Sequence, residues 1–154
     1  MRKRSCGILL YRHVGDELEV LLTHPGGPFW QRRDTGAWTI PKGEPDGDEP
    51  DEACARREFR EELGADVEGP LTPLGEITQK GGKRVTAFAA RGDFDVGKLQ
   101  SNPFNMEWPP RSGKMQTFPE VDRAEWMSIE TARAKLLPAQ IELLDRLLAH
   151  LAHL

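Results

Sequence analysis

A mixed α/β domain, of the α/β or α+β kind around one mixed sheet, is what this sequence predicts, on three observations. Segments of strand character and segments of helical period alternate along the chain. Its 154 residues are close to the size of one domain, so 1–154 reads as a single unit. With 38% apolar and 30% charged residues, it has enough apolar side chains for a core and the charge of a globular surface.

Ser5–Arg12 and Leu18–His24 are apolar and rich in β-formers, and Val14-Gly15-Asp16 between them reads as a hairpin turn. Pro25 to Pro50 is rich in glycine and proline, broken by a short strand candidate at Trp38-Thr39-Ile40. A loop of that length in a compact domain is usually functional. Asp51–Leu63 reads as a helix, with acids in its first turn and Gly64 just past its end. Leu71–Gln79 and Lys83–Gly92 read as two strands joined across Gly81-Gly82. Ser101–Pro119 holds four prolines and little periodicity, which predicts a second long loop. Ala124–Ile129 is a short strand candidate with a helical turn or two after it from Glu130. Pro138–His153 closes the chain as an amphipathic helix, with Leu143, Leu144, Leu147, Leu148 and Leu151 on one stripe.

Composition narrows the function classes. Two cysteines, Cys6 and Cys54, make no disulfide framework, and no Cys or His pair has zinc spacing. The basic start Arg2, Lys3, Arg4 is followed by an apolar run too short for a signal segment. No apolar stretch approaches the roughly 18 residues of a membrane helix. A cytoplasmic protein with no membrane partner is therefore expected. No basic stripe stands out, which argues against stable nucleic-acid binding. Monomer and homodimer stay equally open.

The net charge of −4 conceals a concentration of acid. Residues 44–62 carry nine acids against three bases, leaving 18 bases against 16 acids elsewhere. Side chains advance by about 100° per residue around a helix. Ala55, Phe59 and Leu63 then form an apolar stripe, and Glu58, Glu61 and Glu62 fall together on the flank beside it. Arg57, four residues before Glu61, is placed to brace it. Like charges at this spacing cost a helix about 0.2–0.5 kcal/mol per pair, and more when half-buried. Grouped hard oxygen ligands suit Mg²⁺ or Mn²⁺; a solvated acidic face screened by Arg56 and Arg60 is the plainer alternative on the helix alone.

The surrounding residues favour the cation. Gly43-x5-Glu49-x7-Arg57-Glu58-Phe59-Arg60-Glu61-Glu62-Leu63-Gly64-Ala65 resembles the Nudix box, G-x5-E-x7-R-E-U-x-E-E-x-G-U with U apolar, at every fixed position. The resemblance implies an α/β/α sandwich around a mixed sheet, with the box as loop-helix-loop. It also implies a hydrolase that cleaves X-linked nucleoside diphosphates at phosphorus with water and a divalent metal. Carried over residue by residue, Glu58 and Glu62 are metal ligands, Glu61 is a ligand or water-activating group, and the Gly43 carbonyl completes the metal sphere. Arg57 orients the glutamates, and Glu49 is structural. The general base stays open between Glu58 or Glu61 and a carboxylate on a distal loop. Glu120 is the preferred distal carboxylate, for both the catalytic and the metal role, with Glu107 as competitor.

Trp38-Thr39-Ile40-Pro41-Lys42-Gly43 resembles the W-x-x-P-K-G lead-in of Nudix enzymes acting on dinucleoside polyphosphates and inositol pyrophosphates. Lys42 is thereby expected on a terminal phosphate, as a point charge. Among the other loop cations Arg32, Lys83 and Arg111 are preferred for phosphate contact. Trp30, with Phe29 and Trp108, is a candidate platform on which a base stacks. The four histidines form no constellation that suggests a base. The expectation is thus a Mg²⁺-dependent pyrophosphohydrolase, with Mn²⁺ as substitute, acting on an NTP or a dinucleoside polyphosphate. Hydrolysis of ADP-ribose or another nucleoside diphosphate-X, and a catalytically silent nucleotide-binding regulatory module, are the alternatives.

Overall fold

The computed structural model describes residues 3–154, so Arg2 of the basic start lies outside the described residues. The chain runs β1 (Arg4–Val14), β2 (Glu17–Pro25), β3 (Lys42–Gly43), α1 (Asp51–Leu63), β4 (Thr72–Thr78) and β5 (Arg84–Arg91). It continues through β6 (Pro103–Glu107), β7 (Met115–Pro119), β8 (Val121–Ser128), α2 (Ile129–Lys135) and α3 (Ile141–Ala152). The main sheet has the order β4-β5-β1-β2-β8. It is mixed: β1 runs parallel to β5, and the other neighbours are antiparallel.

Strand residues alternate between two faces, and the two cores follow that alternation. Cys6, Ile8 and Leu10 of β1 and Leu21 of β2 pack under Phe59 and Leu63 of α1. Leu9, Tyr11, Val20 and Leu22 face the opposite way, toward Leu143, Leu144 and Leu147 of α3. The α/β/α layering expected from the sequence is therefore present. Burying one of these Leu or Ile side chains contributes about 1.5–3 kcal/mol. Among the described residues no helix is long and apolar enough to cross a membrane.

Three sequence expectations need correction. Trp38–Ile40 is buried but makes only single bridges, Thr23 to Thr39 and Trp38 to Leu136. Its hydrogen bonds are shared out between two partners, so the paired strand comes later, at β3. The segment is wedged into the β1–β2 hairpin. Cys6 and Gly7 pair with Gly43 and Lys42, and the Ile8 amide donates to the Pro41 carbonyl at 3.2 Å.

Ser101–Pro119 is not a loop: β6 and β7 pair antiparallel from Pro103–Pro119 to Glu107–Met115. The ribbon lies outside both cores with most of its residues exposed, so apolar alternation cannot mark it. Phe104 packs across it on Phe118, with ring centroids 6.0 Å apart. The last strand also starts earlier than expected, at Val121, paired with Pro25 across an irregularity in register.

Candidate functional site

The wedge that splits β1 from β2 brings Gly43 against the acidic flank of α1. A Cβ built on Gly43 would lie 2.0 Å from the Glu58 carboxylate carbon, so only glycine leaves room for that side chain. The helix ends where the sequence predicts. Gly64 takes φ 81° and its amide donates to the Arg60 carbonyl at 2.7 Å, a left-handed close that a Cβ would strain.

One guanidinium organises the flank. Arg57 Nε and Nη2 both donate to the Glu49 carboxylate at 3.0 Å, while Nη1 reaches Glu58 Oε1 at 2.9 Å and Glu61 Oε2 at 3.0 Å. Nη2 also donates to the Glu44 carbonyl. A planar fork serves this arrangement where an ammonium cannot. The fork holds the Glu49 carboxyl below the ordinary carboxylate range and raises its own pKa in turn. Glu49 also accepts from the Asp46 amide and so pins the loop before α1.

Above the flank opens a cavity of about 550 Å³. Glu58, Glu61, Glu62 and Glu120 line it, as do Lys3, Lys42 and Lys83. Burial lifts the Glu58 carboxyl, with Glu61 and Glu120 adding repulsion that Arg57 partly offsets. Glu62 is lifted by burial against the pull of Lys42, with Glu58 and Glu120 adding to the rise. The Glu120 carboxyl is raised by burial and by Glu61. Lys42 is depressed by burial and by Lys83. Carboxylates that burial and one another push toward protonation are the partners a cation relieves.

The donor set therefore fits a hard divalent ion such as Mg²⁺ or Mn²⁺: carboxylate oxygens from α1 and the β7–β8 junction, plus a backbone carbonyl. In the conformation described, Arg57 bridges Glu58 and Glu61, and the Cys54 thiol donates to the Gly43 carbonyl at 3.5 Å. Among the described residues no group of three or more His, Cys, Asp or Glu side chains is placed to hold a metal ion.

Of the residues singled out from sequence, the cavity thus gathers Lys42, Gly43, Arg57, Glu58, Glu61, Glu62, Lys83 and Glu120. Glu107 stands elsewhere. Its carboxylate accepts from the Arg111 and Gly113 amides at 3.0 Å and closes the turn of the β6–β7 ribbon. Arg111 sits in that turn at φ 62°. Arg32 and Arg111 are exposed and line neither this cavity nor the neighbouring one. Trp30 lines a second cavity that shares Lys42 and Lys83 with the first. Phe29 and Trp108 pack edge-to-face, 5.3 Å apart, and tie the loop after β2 to the ribbon. His24 is buried between Asp122 and the Arg33 carbonyl and does not line the acid cavity.

Sequence reasoning missed Lys3 and Ser5, which also line the acid cavity. Ser5 is buried against the cavity, and its hydroxyl has no partner among the described residues. Nothing local marks it, because β1 reads as a uniform apolar strand.

The family model for the NUDIX domain matches residues 1–147. The chain belongs to the NUDIX family. The family's hydrolysis of phosphoanhydrides is accordingly this chain's chemistry. Among solved NUDIX folds, a Caenorhabditis elegans Ap4A hydrolase in a binary complex superposes with a TM-score of 0.66 at 24% identity, covering 99% of both chains. The NUDIX domain of Shewanella oneidensis NrtR, complexed with ADP ribose, gives 0.68 at 16% identity over 98% of this chain and 89% of that one. A mutT/nudix family protein from Listeria innocua gives 0.64 at 18% identity over 98% and 94%. No curated protein sequence matches.

Proposed function

We propose that this NUDIX protein is a Mg²⁺-dependent pyrophosphohydrolase, with Mn²⁺ able to substitute, that cleaves a phosphoanhydride bond of an NTP or dinucleoside polyphosphate by attack of water at phosphorus. One observation carries the reading: a single cavity gathers Glu58, Glu61, Glu62 and Glu120 together with three lysines. A polyphosphate spanning it would lay its oxygens on the lysines while the glutamates hold the counter-ion beside the scissile linkage. Glu58, Glu61, Glu62, Glu120 and the Gly43 carbonyl are the ligands proposed for that ion. The ion, when bound, offsets phosphate charge and makes a water acidic enough to react.

The chain's own residues do the rest. Arg57 fixes two of the glutamates on a rigid helix flank, which preorganises the site. Glu58, Glu61 or Glu120 takes the proton of the attacking water, and Lys42 and Lys83 hold the phosphates. Arg32, Arg111 and Trp30 remain candidates for substrate contact from the mobile ends of a longer substrate.

The test is a panel of NTPs, dinucleoside polyphosphates and ADP-ribose incubated with Mg²⁺, the products being resolved by chromatography. Hydrolysis of the first two classes is expected, with the rate rising toward alkaline pH as the glutamates ionise and water is activated. Glu62→Gln should lose at least about a hundredfold in kcat while keeping its melting transition. Unchanged turnover in that variant refutes the site. ADP-ribose is the second reading, supported by the likeness to a NUDIX domain that holds it; preferential release of AMP from ADP-ribose would select it.

A further inference from the structure

Among the described residues, the Ser5 hydroxyl is the one buried side-chain oxygen or nitrogen with no hydrogen-bond partner. Ser5 is fully buried, yet it lines the acid cavity. Leaving such a group unsatisfied costs a fold stability, and native structures satisfy nearly all of them. The strand register shows what surrounds it. Residues two apart on a strand share a face, and so do residues paired across a ladder. Along the chain Lys3 lies two residues before Ser5 and Gly7 two after it. Gly7 pairs with Lys42 of β3, and a Cβ on Gly7 would come within 2.7 Å of the Lys42 Cβ, so the missing side chain makes room for that lysine. On the other edge Ser5 pairs with Val85 of β5, and Lys83 stands two residues before Val85. The three lysines that line the cavity are therefore the ones that the sheet arranges around Ser5.

An ammonium group only donates, so the lysines cannot accept the hydrogen bond that the Ser5 hydroxyl has to give. What the position lacks is an acceptor, and the positive charge around it calls for an anionic one. Shut off from bulk water, such a hydroxyl makes a strong hydrogen bond to a charged oxygen. We propose that Ser5 is a further substrate-binding residue of this site, its hydroxyl donating to a phosphoryl oxygen of the polyphosphate that the lysines hold. The proposal rests on the hydrolase reading above, and adds to it a neutral donor that the fold leaves unsatisfied until the substrate arrives. Stability is given up at this position for binding.

The experiment reads both sides of that exchange. In EDTA, so that nothing is cleaved, calorimetry measures the affinity of the full chain for inorganic tripolyphosphate, and a melting curve is taken without ligand. Ser5→Ala removes the hydroxyl and adds no bulk. It should weaken tripolyphosphate binding about tenfold and raise the ligand-free melting temperature by about 2–4 °C. Ser5→Cys keeps the shape but offers only a weak donor, so it should lose nearly as much affinity as the alanine variant. Lys83→Ala should weaken the same ligand with Ser5 intact, which places the anion among the lysines. If Lys83→Ala weakens tripolyphosphate while Ser5→Ala leaves its affinity alone, the inference is overturned and the polyphosphate reading stands. Full affinity in Ser5→Cys would overturn it too, because shape rather than donation would then matter. So would a Ser5→Ala chain that melts below wild type, since the hydroxyl would then be serving the fold. If wild type binds no tripolyphosphate, or binds it equally well without Lys83, the hydrolase reading fails at this site and the role of Ser5 fails with it.

Discussion

Arg57 makes hydrogen bonds to Glu49, Glu58 and Glu61 through all three of its nitrogens, and these partners are half-buried. Removing the guanidinium from such a cluster leaves crowded, partly buried carboxylates without their shared counter-charge. Arg57→Ala should therefore destabilise the fold by about 2 kcal/mol or more, read from the urea midpoint. Arg57→Lys restores charge without the fork and should recover little of that loss. A lysine variant as stable as wild type would mean that charge alone suffices. Glu120 is tied to the cluster only through the cavity, so its variant reads chemistry more than stability. Glu120→Ala should lower turnover more than tenfold at saturating Mg²⁺, and an unchanged rate would remove it from the proposed metal set.

The elements differ in how readily the sequence reveals them, and the difference is physical. Helix α1 is legible because its apolar stripe and acidic flank follow the 3.6-residue period, and β1, β2 and β5 because each buries a long apolar run. The β6–β7 ribbon buries almost nothing, and its pairing is a backbone event that composition does not record. The wedge at Trp38–Gly43 is recognisable by motif, but its seat between two strands is decided by tertiary contacts with Ile8 and Thr23. The site divides the same way. Glu58, Glu61 and Glu62 lie within one helix and can be read from spacing, whereas Glu120 and Lys83 come from distant segments and join them only in the fold. Because β3 must pass so close to α1, Gly43→Ala tests the element rather than a side chain. Its Cβ would collide with Glu58, and kcat should fall more than tenfold. Wild-type turnover in that variant would mean that the helix flank yields without consequence.

For the molecule as a whole, the acid cavity sets a slope of stability against pH. Glu58, Glu62 and Glu120 have carboxyl pKa values raised above the ordinary range in the folded chain, first by burial. Between their unfolded values, about 4.3, and their folded ones, the native state holds more protons than the unfolded chain. Stability therefore falls as pH rises through that window, because ionising these groups costs the fold more than it costs the open chain. Glu49 acts in the opposite sense, since Arg57 lowers its pKa and its contribution is lost only as pH drops below the ordinary carboxylate range. In EDTA the melting temperature should thus decline from about pH 5 to pH 7.5. A divalent ion that binds the ionised glutamates stabilises the native state increasingly as they deprotonate, so saturating Mg²⁺ should flatten or reverse the decline. Glu62→Gln removes one raised carboxyl and should make the EDTA slope shallower. A melting temperature that rises across this range in EDTA, or a slope indifferent to Mg²⁺, would show that the four glutamates do not share one cation-dependent site.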